Sequence, residues 1–214
     1  MSKESGVHTY RGEGGIWEKY NWKEYACQTA FIKDPLKVLN FHELRRKEVF
    51  KLQPHDGYTI ITKLQNQFNN INIITQNIDG FHKKSFSKNI LELHGDLWSL
   101  RCKNEKLIVI DNLNWSYEKK ICKCGGYLRP NIIWFEDPLN EEVFSKAITL
   151  VEKCQLFISI GTSGLVYPAA SLPKIAKKSG AYCIEINPEE TELSYIFDEK
   201  IRLLASEGIR KLFK

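Results

Sequence analysis

The chain has no apolar run long enough to cross a bilayer and no amino-terminal secretory pattern, so a spanning or exported protein is not expected. It has no internal repeat and no low-complexity tract, which excludes solenoids and disordered arrays. Its 6 cysteines form no evident disulfide framework, and a reducing, cytoplasmic compartment is the expectation. The 31 Lys and Arg exceed the 26 Asp and Glu, giving a net charge of +5, but bases and acids are interspersed along the whole length. Without a cluster of bases there is no electrostatic footprint for a specific nucleic-acid partner. The 214 residues suffice to bury one full core, most simply an α/β domain with a small insertion.

Four short apolar runs of strand character each end abruptly in polar groups. Ile71 to Ile74 leads into Thr75-Gln76-Asn77-Ile78-Asp79-Gly80, and Ile90 to Leu93 into His94-Gly95-Asp96. Leu156 to Ile160 leads into Gly161-Thr162-Ser163, and Tyr182 to Ile186 into Asn187-Pro188. Open parallel α/β sheets bind ligands at the carboxyl ends of their strands, and this repeated switch points to such an edge. Helices are predicted around it. One opens at Asp34-Pro35 with Leu36, Leu39, Phe41 and Leu44 inward; a second covers 56–68 with Ile60, Ile61, Leu64 and Phe68 inward. A third covers 141–152 with Val143, Phe144, Ala147, Ile148 and Val151 inward. Strand and helix then alternate to residue 186, the pattern of a parallel sheet with right-handed crossovers. The stretch Trp98 to Tyr127, holding Cys102, Cys122 and Cys124, breaks the alternation and reads as an inserted module.

Several of these groups have two readings. His94, at a strand end before a glycine, can be a general base or an ordinary structural histidine. Asn77 and Asp79 can bind a carboxamide and steady developing positive charge, or can simply form a turn. Gly161, Thr162 and Ser163 offer small side chains and free amides suited to phosphate or ribose, and Asn187 suits a ribose, though each alone would make an ordinary loop.

The Gln-Asn-Ile-Asp and Leu-His-Gly segments, Leu128-Arg129-Pro130-Asn131-Ile132-Ile133-Trp134-Phe135, Gly161 to Pro168, and Glu185-Ile186-Asn187-Pro188 together resemble the ordered signatures of the sirtuins, NAD-dependent protein deacylases. The resemblance covers essentially the whole chain and is closest to the bacterial deacylase subgroup. It implies a Rossmann-like core of residues 1–16, 56–97 and 128–214, and a small helical and zinc-ribbon-like domain of 17–55 and 98–127. It also implies that His94 deprotonates a ribose hydroxyl of NAD and that Asn77 and Asp79 shape the nicotinamide pocket. Gln76, Ile78, Gly161, Thr162, Ser163, Asn187, Pro188, Glu189 and Ala205 would contact the cofactor. Glu4 to Gly12 resembles the family's cofactor loop, with Tyr10 and Arg11 beside NAD and Trp17 closing the pocket. Ile133, Trp134 and Phe135 would line the channel for an acyl-lysine protein substrate.

The pattern departs from the family in three places. The Gly-Ala-Gly turn that normally precedes the cofactor loop, and the strand before it, are missing from the chain as written. At 42 and 45 the subgroup carries a Tyr-x-x-Arg pair that recognises acidic acyl groups; here the pair is His42 and Arg45. The zinc ribbon, built in the family from two C-x-x-C pairs, is reduced to Cys102, Cys122 and Cys124, so a weakened or lost metal is expected. An ADP-ribosyltransferase or NAD glycohydrolase, and a truncated non-catalytic NAD-binding relic, are the rival readings.

Overall fold

The structure, a computed structural model, describes residues 1–10, 14–102, 104, 105 and 107–213. A 3-10 turn (Ser2–Ser5) is followed by α1 (Ile16–Lys19), α2 (Trp22–Tyr25), α3 (Gln28–Lys33) and α4 (Pro35–Phe50). The Asp34 carboxylate accepts from the Lys37 N–H at 3.0 Å and Pro35 occupies the first turn, so α4 starts where cap chemistry places it. Its inward face is not the expected leucine stripe. Leu36 and Leu44 are exposed, while Val38, Leu39, Phe41, His42, Glu43, Arg45, Arg46 and Val49 are buried. The polar members go inside because partners distant in sequence meet them there. The Arg46 guanidinium lies 5.1 Å from the Trp98 ring and 4.3 Å from the Tyr117 ring, and donates to the Asp111 carbonyl (2.6 Å) and carboxylate (3.2 Å). Glu43 accepts from the Ser116 hydroxyl and the Tyr117 N–H, each at 2.8 Å. A buried charge without such partners costs several kcal/mol.

Next come α5 (Asp56–Gln67), β1 (Ile73–Thr75), α6 (Phe81–Lys84) and β2 (Ile90–Glu92), then β3 (Gly95–Cys102), β4 (Leu107–Ile110) and β5 (Arg129–Ile132). The chain ends with α7 (Glu141–Lys153), β6 (Leu156–Ile160), α8 (Leu172–Lys178), β7 (Tyr182–Ile186), β8 (Glu199–Ile201) and α9 (Ala205–Leu212). On α5, Tyr58 and Gln65 are buried and Phe68 is exposed; the Gln65 amide donates to the Ile71 and Lys88 carbonyls, which fixes the turn into β1. On α7 the expected face does point inward, Ala147 and Val151 fully and Val143, Phe144 and Ile148 partly.

β1 and β2 pair in parallel, as do β6, β7 and β8, while β4, β3 and β5 form a separate antiparallel sheet packed under α3 and α4. The fold is thus the expected Rossmann-like α/β arrangement with an inserted module. Among the described residues the two parallel sheets share no backbone pairing. Residues 1 and 2 lie between the carboxyl ends of β1 and β6: the Ser2 hydroxyl donates to Asp79 at 2.5 Å, and a Cβ on Gly161 would fall 2.4 Å from the Met1 nitrogen. No helix among the described residues is long and apolar enough to cross a membrane.

Two histidines are buried as neutral rings. Burial pushes His42 from 6.5 down to about 3, and His82 down to about 4. Both groups take up a proton in the unfolded chain below pH 6.5 but resist it when folded, so stability is full above that pH and falls as pH drops toward 3. At about 1.4 kcal/mol per pH unit, each should cost roughly 2 kcal/mol by pH 5. Urea unfolding at pH 7.5 and 5 should show this loss, and His82→Gln should shrink it. Equal stability at both pH values would refute the assignment.

Candidate functional site

The site begins in the turn after β1. The Thr75 hydroxyl accepts from the Asn77 N–H at 3.1 Å, and Asp79 Oδ1 accepts from the Phe81 N–H at 2.8 Å. These two bonds shape the loop and leave Asn77 and Asp79 facing the start of the chain. There the Ser2 hydroxyl accepts from Asn77 Nδ2 (2.7 Å), donates to Asp79 Oδ2 (2.5 Å) and lies 3.2 Å from the Tyr58 hydroxyl. Burial pushes the Asp79 carboxyl above its ordinary range. Ser2, before the cofactor loop, and Tyr58, on α5, join this site without having been named in the sequence reading.

His94 stands at the end of β2, opposite this turn. Its Nδ1 lies 3.0 Å from the Gln76 carbonyl, which can only accept. Nδ1 therefore carries the proton and Nε2 keeps its lone pair. Burial holds the ring below the usual histidine range, so it stays neutral and ready to take a proton. Gly95 is required beside it: φ is +71° and a Cβ would fall 1.9 Å from the Asn131 carbonyl oxygen. That close approach lets β5 cross the histidine, with the Ile133 N–H donating to the His94 carbonyl at 2.9 Å.

The second edge of the site is formed by the ends of β6 and β7. The Asn187 amide donates to the Thr162 carbonyl at 2.9 Å and the Gly161 N–H to the Ile186 carbonyl at 2.9 Å. Gly161 and Gly164 both have positive φ, +58° and +69°, so this turn packs without side chains. Ser163, Pro188 and Glu189 are exposed along it, and Ala205 is buried at the start of α9, where Glu4 accepts from the Ser206 N–H. The cradle fits an extended polar cofactor: the glycine turn presents backbone, and Met1 and Ser2 join it to the Asn77 and Asp79 side. Tyr10 packs 5.2 Å from Trp17, whose ring also meets Phe41 at 6.0 Å and Phe135 at 5.7 Å. Arg11 lies outside the described residues.

The residues expected at the substrate channel separate into two groups. Phe135 is 39% exposed and packs on Trp22 at 4.5 Å, in line with a surface-lining role. Trp134 is buried, stacks on His42 at 5.7 Å and donates its indole N–H to His42 Nε2 at 3.2 Å. Arg45 is 4% exposed; it pairs with Glu48, donates to the His8 carbonyl at 3.1 Å and lies 5.2 Å from the Tyr10 ring. His42 and Arg45 thus hold the wall and the cofactor loop.

Cys102, Cys122 and Cys124 come together, their sulfurs all within 4.8 Å of one another, and this cluster could hold a zinc ion. The expected ribbon is therefore assembled.

Trp98 joins the module to the site. Its indole N–H donates to the Asp79 carbonyl at 2.6 Å and its ring covers Gly80, where a Cβ would fall 2.7 Å from it. Trp98→Phe keeps an aromatic face but removes the indole N–H and the ring edge over Gly80, and should lower stability by at least about 1 kcal/mol. Chemical denaturation of both proteins tests this; an unchanged midpoint would show that the bond contributes nothing.

A model of the Sir2 family matches residues 1–168. The chain is 40% identical over 220 residues to the NAD-dependent protein deacylase of Aquifex aeolicus, covering 100% of this chain and 90% of that protein. It is 38% identical over 213 residues to NAD-dependent protein deacylase 2 of Pyrobaculum aerophilum, covering 99% and 86%. Among solved structures, a Sir2 homologue variant in complex with ADP ribose superposes with a TM-score of 0.93 at 38% identity, over 99% of this chain and 86% of that one. A Sir2 homologue–NAD complex superposes with a TM-score of 0.90 at 38% identity, over 99% and 84%. The motif order, the strand-end geometry and these full-length similarities agree: the chain belongs to the Sir2 family, the sirtuins.

Proposed function

We propose that this chain is an NAD-dependent protein lysine deacylase with His94 as its general base. The observation that carries the assignment is the His94 ring, its Nδ1 held by the Gln76 carbonyl so that Nε2 keeps its lone pair, at the end of β2 beside the turn that carries Asn77 and Asp79. The whole-length similarity to proteins of that activity supports it. Bound NAD supplies a labile nicotinamide–ribose bond and the ADP-ribose that takes up the acyl group. Asn77 and Asp79 receive the carboxamide, with Ile78 packed behind them. Gln76 contacts the ribose, and Gly161, Thr162, Ser163, Asn187, Pro188, Glu189 and Ala205 form the far edge. Tyr10 and Trp17 close over the cofactor. The acyl-lysine of a protein substrate enters between the Rossmann-like core and the small part of 17–55 and 98–127, past Ile133, Trp134 and Phe135. His94 accepts a hydroxyl proton at Nε2 and spreads the resulting charge through Nδ1–H to the Gln76 carbonyl. The cysteine cluster is structural: it lies at the opposite end of β3 from Gly95.

Replacing His94 with Ala should cut release of deacetylated peptide by about 10²-fold to 10⁴-fold while leaving unfolding unchanged. The assay is an acetyl-lysine peptide with NAD, following deacetylated peptide, O-acetyl-ADP-ribose and nicotinamide together. Activity within a few-fold of wild type would reject the base. Nicotinamide release without peptide turnover would instead favour a glycohydrolase.

The acyl group that fits best is a neutral one. A carboxylate-recognising arginine needs an accessible guanidinium, whereas Arg45 is buried, countered by Glu48 and committed to the loop at His8. Arg45→Ala should therefore weaken acetyl and succinyl peptides by the same factor, through loss of the loop. A selective loss on succinyl-lysine of tenfold or more would reverse the assignment.

A further inference from the structure

A tetrahedral zinc ion needs four donors, and the three thiols of the ribbon leave one position to fill. Zn–S bonds of about 2.3 Å and Zn–O bonds of about 2.0 Å set the edges of such a tetrahedron at about 3.8 Å between sulfurs and about 3.5 Å between sulfur and oxygen. The Cys102 and Cys124 sulfurs lie 3.6 Å apart. That is far beyond the S–S bond of about 2.0 Å in a disulfide and close to the first edge. The Cys122 sulfur lies 3.4 Å from Glu105 Oε2, close to the second. Glu105 follows Cys102 by three residues and is exposed; its carboxylate meets only the Cys122 sulfur and stands outside the 4.8 Å group formed by the three sulfurs, so ligation requires its side chain to rotate toward Cys102 and Cys124. Asn104 completes the surroundings, its amide N–H 3.7 Å from the Cys124 sulfur, where it would steady a thiolate.

We propose that Glu105 is the fourth ligand of a zinc site made of three thiolates and one carboxylate, with Cys102, Cys122 and Cys124 as the other donors. The donor set carries the same total charge as four thiolates but replaces one soft sulfur by a hard oxygen. The ion is consequently held less tightly than by four thiolates, and the site discriminates less in favour of soft ions such as cadmium. It is a four-donor site nonetheless, weakened as the cysteine count suggests but not lost.

The experiment uses the full chain purified with zinc, as wild type, Glu105→Gln and Glu105→Cys. Zinc per chain is measured by elemental analysis, zinc affinity by competition with a chromophoric chelator, and the visible and near-ultraviolet spectrum after cobalt substitution. Wild type should hold one zinc and give a tetrahedral cobalt spectrum with the charge-transfer intensity of three thiolates. Glu105→Gln should lose zinc affinity by 10-fold or more, since even groups that only orient a ligand cost about 10–100-fold when removed. Glu105→Cys should regain or exceed wild-type affinity and add one thiolate's intensity. A wild type devoid of zinc, or a Glu105→Gln variant that binds as tightly as wild type with an unchanged cobalt spectrum, would overturn the proposal. The readouts are independent of deacylation, so a failure of the catalytic assignment leaves this test intact.

Discussion

The crossing at His94 and Gly95 is the constraint on which the site depends. Three segments meet there by backbone: the Leu93 N–H donates to the Thr75 carbonyl, the Leu97 N–H to the Ile78 carbonyl and the Ile133 N–H to the His94 carbonyl, each at 2.9 Å. The approach is possible only because Gly95 has no Cβ to meet the Asn131 oxygen. The same crossing fixes the imidazole tautomer, sets the turn carrying Asn77 and Asp79, and feeds β5 into Trp134 and Phe135. The proposed base, cofactor pocket and substrate wall therefore share one origin.

Much of this edge was legible in the sequence, because an apolar run ending in polar residues is a local signal. β1, β2, β6 and β7 all carry it, and each delivers its polar groups where expected. The inward face of α4 was not legible. His42, Glu43 and Arg46 are buried by partners such as Trp134, Tyr117 and Asp111, more than 60 residues away, and nothing within the helix announces them. β8 and α9 were missed for a related reason. A three-residue strand has little pattern, and the packing of α9 rests on Gly208, which lets it touch Ile186: a Cβ would fall 2.3 Å from that side chain. Ser2 was not read as a site residue because a lone hydroxyl acquires meaning only from the groups the fold brings to it.

The buried polar groups of α4 also explain how the inserted module stays in register with the site. Arg46 is held between Trp98 and Tyr117, and Trp98 in turn donates to the Asp79 carbonyl. An arginine, planar and weakly hydrated, suits such a sandwich better than a lysine would. Truncating it would leave Asp111 and two aromatic faces without their partner, so the whole path from the module to the turn of Asn77 and Asp79 would loosen together. Trp17 closes the other side in the same manner, gathering Tyr10, Phe41 and Phe135 around one indole.

The metal's part follows from distance. β3 runs from Gly95 at the site to Cys102 in the ribbon. At roughly 3.3 Å per residue it separates the two by on the order of 20 Å. An ion that far away cannot polarise a substrate or lower the pKa of a reacting group. What it can do is anchor the far end of β3, whose near end carries His94 and Gly95, and pin the start of the segment leading back to β5. The proposed chemistry at one end of the strand and the proposed coordination at the other are thus linked only through the strand between them, so a hard oxygen in place of a soft sulfur in the ribbon would leave the reacting groups untouched.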